Sequence, residues 1–340
     1  MKFAHIISSD VREIYDAPVM KTGYFCWHAA FRGHIGQWQQ LRLRLKQFDI
    51  IMVTLAKPEV DARTVQRLRN LVSPRTIIVG VMDYAVQLWR SGYNPHALED
   101  AIAYCDMVFG PEPMIVRQTN GFTPPGDTCK LIQHPADLEN LSKVGPGQSS
   151  IELDIGAVVH RYDGNWFSPY AALRDLPYLY GAWLMDAALL DECKAFFDIK
   201  FQIAPYPQFL GWVKARKCIV DSYHWVNSWG RLPIECAVLG TPCVGSSACH
   251  TQAALWPSLT SAPGDTCMMR GHIERVMEDE EFRKEALDYA RAHVNTYGLS
   301  NRRLRLLEEL QEKTRNFRGN EAIHKLYEES KSCKAELAGQ

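Results

Sequence analysis

Residues 218–245 read CIVDSYHWVNSWGRLPIECAVLGTPCVG. An apolar run leads into a polar loop, then a short helix with a carboxylate in its first turns, a glycine that stops the helix, and a second β-branched run. These are the parts a nucleoside-diphosphate site needs. Gly230 and Arg231 let backbone N–H groups approach phosphate oxygens at a helix start, where the helix dipole favours negative charge. Glu235, about a turn and a half further on, is a carboxylate able to accept hydrogen bonds from ribose hydroxyls. Gly240 suits the left-handed residue that ends a helix, and Thr241-Pro242 stops the helix from continuing.

Ligands of open α/β sheets bind beyond the C-terminal ends of strands, and this ranks the remaining polar residues. The apolar run 151–160 is followed directly by Arg161, whose guanidinium offers a bidentate fork to the oxygens of a diphosphate. Asp83 follows the run TIIVGVM and is placed either to take a proton from an acceptor hydroxyl or to cap the next helix. Residues 24–37, YFCWHAAFRGHIGQ, mix aromatic rings with His28 and Arg32. Trp27, His28 and Arg32 are therefore candidate acceptor contacts, through ring stacking and charge, or parts of a packed loop. His134, at another strand end, reads more readily as a structural histidine.

These residues need a scaffold. The first half alternates strand and helix signals: strands near 3–8, 49–55, 76–81, 106–109 and 130–133, and helices near 36–48, 62–72, 94–104 and 114–120. Strands that are apolar throughout imply burial on both faces. A break falls at 141–150, where SKVGPGQSS gathers glycine, proline and serine without periodicity. The alternation then resumes at 151–160 and runs through the 218–245 unit to helices near 267–278, 280–293 and 301–314, with the last twenty residues forming a peripheral helix or a tail. Two α/β halves follow, one at 1–145 and one at 146–310, with 311–340 as a C-terminal helix or tail.

The motif Trp229-Gly230-x4-Glu235-Cys236-Ala237-x2-Gly240-Thr241-Pro242-x-Val244 resembles the donor-site signature of GT-B glycosyltransferases, in particular the glycogen-synthase-like retaining family. The resemblance implies two Rossmann-like doubly wound domains facing a cleft, 1–145 binding the acceptor and 146–310 the donor. It also implies a nucleoside-diphosphate sugar as co-substrate, with no further cofactor. Asn227 stands where that family writes the first glutamate of a Glu-x7-Glu pair, near the transferred sugar, so the stereochemical outcome stays open between retention and inversion. The family's lysine beyond Arg161 is also missing, which leaves Lys214 or Arg231 as the second cation at the diphosphate. The activity implied is hexosyl or pentosyl transfer to a hydroxyl on a glycan, a small metabolite or a hydroxymethylated DNA base. A sugar-nucleotide epimerase and a non-catalytic nucleotide-sugar binder are the alternatives.

Composition bounds the rest. At 340 residues, 46% hydrophobic and 23% charged, the chain is an ordinary globular one with room for two cores. No run approaches the roughly eighteen apolar residues of a membrane span, and the start turns polar after seven residues, so the expectation is a cytoplasmic protein without a membrane anchor. Ten cysteines, with no C-x2-C pair, read as reduced core residues instead of a metal site. No Asp-x-Asp motif occurs, which points to metal-independent transfer. The net charge of −1 gives no overall footprint for nucleic acid, but Arg42, Arg44 and Lys46 form a local basic cluster that a DNA acceptor could use.

Overall fold

The computed structural model describes residues 1–7, 26–55, 58–82, 95–122, 128–147, 152–159, 167–184, 193, 196–197, 200–201, 206–221, 229–314 and 321–338. The chain separates into two compact units. One holds the described residues up to Asp137 together with those from Tyr297 onward, and the other those within Leu138–Thr296.

The first unit carries β1 (Phe3–Ile6), β2 (His34–Gly36), β3 (Ile50–Leu55), β4 (Ile77–Met82), β5 (Met107–Gly110) and β6 (Cys129–Leu131). They form one parallel sheet in the order β2-β1-β3-β4-β5-β6. Side chains alternate between the two faces with period two. Ala4, Ile6, Ile51, Val53 and Ile78 pack on one side against Val65 and Leu68 of the helix Pro58–Leu71. Phe3, Ile50, Met52, Val79 and Val81 pack on the other against Trp27 and against Leu306, Leu307 and Leu310 of the helix Leu299–Thr314. Helices on both faces explain why these strands lack polar alternation. The helix Leu299–Thr314 thus returns to complete the first core, and an isolated parallel bridge from Gly298, just before it, to Ala136 ties the return to the segment after β6.

The second unit carries β7 (Ile155–Val159), β8 (Tyr180–Leu184), β9 (Lys200–Phe201), β10 (Cys218–Asp221), β11 (Cys243–Ser246) and β12 (Thr260–Ser261). All are parallel, in the order β12-β11-β10-β7-β8-β9. Numbered within the unit this is 3-2-1-4-5-6, the doubly wound dinucleotide-binding order, and it reverses between β7 and β10. The first sheet reverses between β1 and β3. Each reversal opens a crevice at the C-terminal strand ends.

Two local expectations differ from the structure. The helix expected over 36–48 is only a turn, Trp38–Leu41, followed by a 3-10 turn at Leu45–Gln47. The aromatic loop before it contains β2, a three-residue edge strand whose pairing with β1 comes from tertiary context, since HIG has no strand periodicity of its own. The last residues do form a helix, Glu321–Ala338, with Leu326 and Tyr327 packed against the first unit's core.

Candidate functional site

The second unit's reversal point is where the 218–245 motif lands. β10 ends at the buried Asp221 beside β7, and Trp229 and Gly230 lead into the next helix, Leu232–Leu239. Gly230 has φ +73, and a Cβ there would lie 2.1 Å from the Cys249 sulfur, so only glycine fits. Its carbonyl accepts the Thr251 hydroxyl at 2.7 Å, while the Trp229 carbonyl accepts the Thr251 N–H at 3.1 Å. Across trans peptides the N–H groups point opposite to these carbonyls. The Gly230 and Arg231 N–H groups therefore face away from the helix His250–Leu255, at the head of the helix Leu232–Leu239. Gly240 ends that helix at φ +80, its N–H bonded to the Cys236 carbonyl at 2.9 Å, as its sequence position implies.

Glu235 sits in the first turns of this helix and is fully buried. The Tyr206 hydroxyl donates a hydrogen bond to its Oε1. Arg231 Nε lies 3.7 Å from the same oxygen, and the Arg231 guanidinium stands 5.1 Å above the Tyr206 ring, which stacks in turn on Phe209. A buried carboxylate needs such partners, because an isolated charge removed from water costs several kcal/mol. The thiols around it are inert. Burial pushes the Cys218, Cys236, Cys243 and Cys249 thiols upward, so none forms a thiolate near neutrality.

Gly230, Arg231 and Glu235 are thus brought together. Lys214 is not among them. It ends the helix Tyr206–Lys214, which runs back toward the N-terminal end of β10; eight residues at 1.5 Å put it about 12 Å below Tyr206 along the axis. Its ammonium donates instead to the Val144 carbonyl at 2.5 Å. Arg161, Asp83 and Asn227 lie outside the described residues.

Trp27, expected as a stacking surface for an acceptor, is a core residue. It has no exposed surface, meets Phe109 edge-on at 5.3 Å, and donates its indole N–H to His134 Nδ1 at 3.2 Å. His28, one residue on, is half-buried, and its carbonyl accepts the Gly33 N–H. Arg32 is exposed at φ +50, in the turn that leads into β2.

The sequence reading overlooked Tyr206 and His5. His5, on β1, and Thr54, near the end of β3, flank the first sheet's reversal point, with Nε2 and Oγ1 2.8 Å apart. Burial, and next the charges of His28 and His134, push the His5 imidazole down to about 3, so it stays neutral. A histidine in the first strand, two residues short of the apolar run's polar end, was the available signal.

No protein-family model and no curated protein matches the sequence. Solved structures do. Anabaena Alr3699/HepE in complex with UDP-glucose superposes with a TM-score of 0.65 at 12% identity, covering 92% of this chain and 100% of that one. An alpha-glucosyltransferase in complex with UDP and a 13-mer DNA containing a HMU base gives 0.63 at 11% identity, over 92% and 99%. The Candida albicans trehalose-6-phosphate phosphatase N-terminal domain gives 0.60 at 10% identity, over 81% and 72%. The fold is GT-B. What this chain shares with those structures is the fold of two parallel α/β sheets. Among the described residues no helix is long and apolar enough to cross a membrane, and no cluster of histidine, cysteine and carboxylate side chains could hold a metal ion.

Proposed function

We propose that this protein is a glycosyltransferase that moves a sugar from a nucleoside-diphosphate sugar to a hydroxyl acceptor. The observation that carries the reading is the Gly230-to-Glu235 unit at the reversal point of a sheet with dinucleotide-binding strand order. In this reading Glu235 accepts from the donor ribose, and the Gly230 and Arg231 N–H groups approach the diphosphate. Arg161, directly beyond β7, supplies the fork that stabilises charge growing on the leaving group. The second unit takes the donor and the first the acceptor, with Asp83 as the base or orienting group and Asn227 near the transferred sugar. UDP-glucose is the first donor to test, because the similar HepE structure was solved with it.

The test is a thermal-shift screen of nucleotide sugars followed by a transfer assay. Donor present at a hundred times its dissociation constant stabilises the binding unit by about 2.7 kcal/mol. Transfer is expected to continue in excess EDTA, since cations and a helix N-terminus do here what a metal does elsewhere. Activity abolished by EDTA and restored by Mn²⁺ or Mg²⁺ would refute metal independence, and melting unmoved by any nucleotide sugar would refute the donor site.

A DNA acceptor is the second reading, favoured by one feature. Arg42, Arg44 and Lys46 are all exposed on the segment between β2 and β3. If this surface tracks a phosphate backbone, changing all three to alanine lowers the slope of log K against log[salt] for duplex DNA by about 2 to 3 units. An unchanged slope removes DNA from consideration and leaves a glycan or metabolite acceptor.

A further inference from the structure

We propose that Tyr206 and Arg231 are positioning residues for Glu235, and that together they make the site selective for a ribose bearing its 2′- and 3′-hydroxyls. This rests on the donor-site reading above and adds what aims the carboxylate. Two contacts reach Oε1 of Glu235, and a third joins the two residues that make them. The Tyr206 hydroxyl bonds to Oε1, Arg231 Nε approaches the same oxygen at 3.7 Å, and the Arg231 guanidinium lies over the Tyr206 ring at 5.1 Å. Tyr206 is itself fixed by stacking on Phe209 at 6.1 Å.

These groups come from two helices. Tyr206 opens the helix Tyr206–Lys214, whose first turn lies at the C-terminal edge of the sheet, and Arg231 precedes the helix that bears Glu235. Two groups held at Oε1 restrict the rotation of the carboxylate plane and hence the direction of Oε2. A group held within about 10–20° by its neighbours is what a pair of vicinal hydroxyls requires, because both bonds must form in one geometry. The arginine also sets a positive charge beside a fully buried carboxylate, which offsets part of the cost of burying it.

The experiment compares UDP with 2′,3′-dideoxy-UDP by calorimetry on the full chain. Wild type is expected to prefer UDP by about tenfold or more, the worth of hydrogen bonds to a charged group. Tyr206→Phe retains the ring that carries Arg231 and removes only the hydroxyl. It should shrink the preference at least threefold, through weaker UDP binding, while dideoxy-UDP affinity stays put. Arg231→Lys keeps the charge but loses the flat group over Tyr206 and should shrink the preference as well, which gives a second measurement should the tyrosine variant fold poorly. Equal weakening of both nucleotides, or a wild-type ratio retained in both variants, overturns the inference while leaving the donor site intact. Wild-type protein that binds UDP and its dideoxy analogue equally refutes the role of Glu235, and wild-type protein that binds neither refutes the donor site itself.

Discussion

Replacing Glu235 by alanine should weaken UDP binding by about 1.5–3 kcal/mol, a loss of roughly ten- to more than a hundredfold, because hydrogen bonds from ribose hydroxyls to a charged acceptor are worth that much. The substitution also removes the charged acceptor of the buried Tyr206 hydrogen bond, and so should lower stability by about 1–3 kcal/mol. Glu235→Gln separates the two effects. Its amide oxygen still accepts from Tyr206, so stability should largely return, while affinity stays well below wild type because the charge is gone. Calorimetry that finds UDP bound equally by wild type and both variants would remove Glu235 from the site.

Stability should also depend on pH through His5. Its imidazole titrates near 3 in the folded protein against 6.5 for the free side chain. Between these values the unfolded chain binds a proton that the folded chain refuses. The contribution is therefore complete above pH 6.5, declines as pH falls, and is exhausted below about pH 3. At about 1.4 kcal/mol per pH unit the whole span is on the order of 4 to 5 kcal/mol. Urea unfolding at pH 7.5 and 4.5 should show wild type losing about 2.5 kcal/mol more than His5→Gln, whose amide can still bond to Thr54. Carboxylates titrate alike in both proteins and cancel. Identical losses would show that His5 is not held neutral by the fold.

What could be read from the sequence was local. Gly230 and Gly240 announce backbone conformations that other residues adopt only with strain, and the apolar strands announce a sheet covered on both faces. These features reach only a few residues along the chain. The partnership of Tyr206 with Glu235 spans 29 residues and that of His5 with Thr54 spans 49, so each is created by strand order and register. Lys214 shows the same limit from the other side. Its charge is visible in the sequence, but the edge of the sheet it occupies is decided by the direction of its helix. Trp27 looked like a stacking surface because composition cannot distinguish a ring that lines a site from one that fills a core.

Leu306, Leu307 and Leu310 also have a bearing on the order of synthesis. They cover the face of the first sheet formed by Phe3, Ile50, Met52, Val79 and Val81, yet they are made some 250 residues after Met52. While the ribosome works through the second unit, that face has Trp27 and Phe31 against it but lacks the cover these leucines supply. The second unit, whose described residues are contiguous in sequence, can close as soon as they emerge, and the first must wait for a helix made after them. The half translated first is therefore the half completed last, and a fragment cut after the first six strands would carry a partly uncovered apolar sheet face into solution.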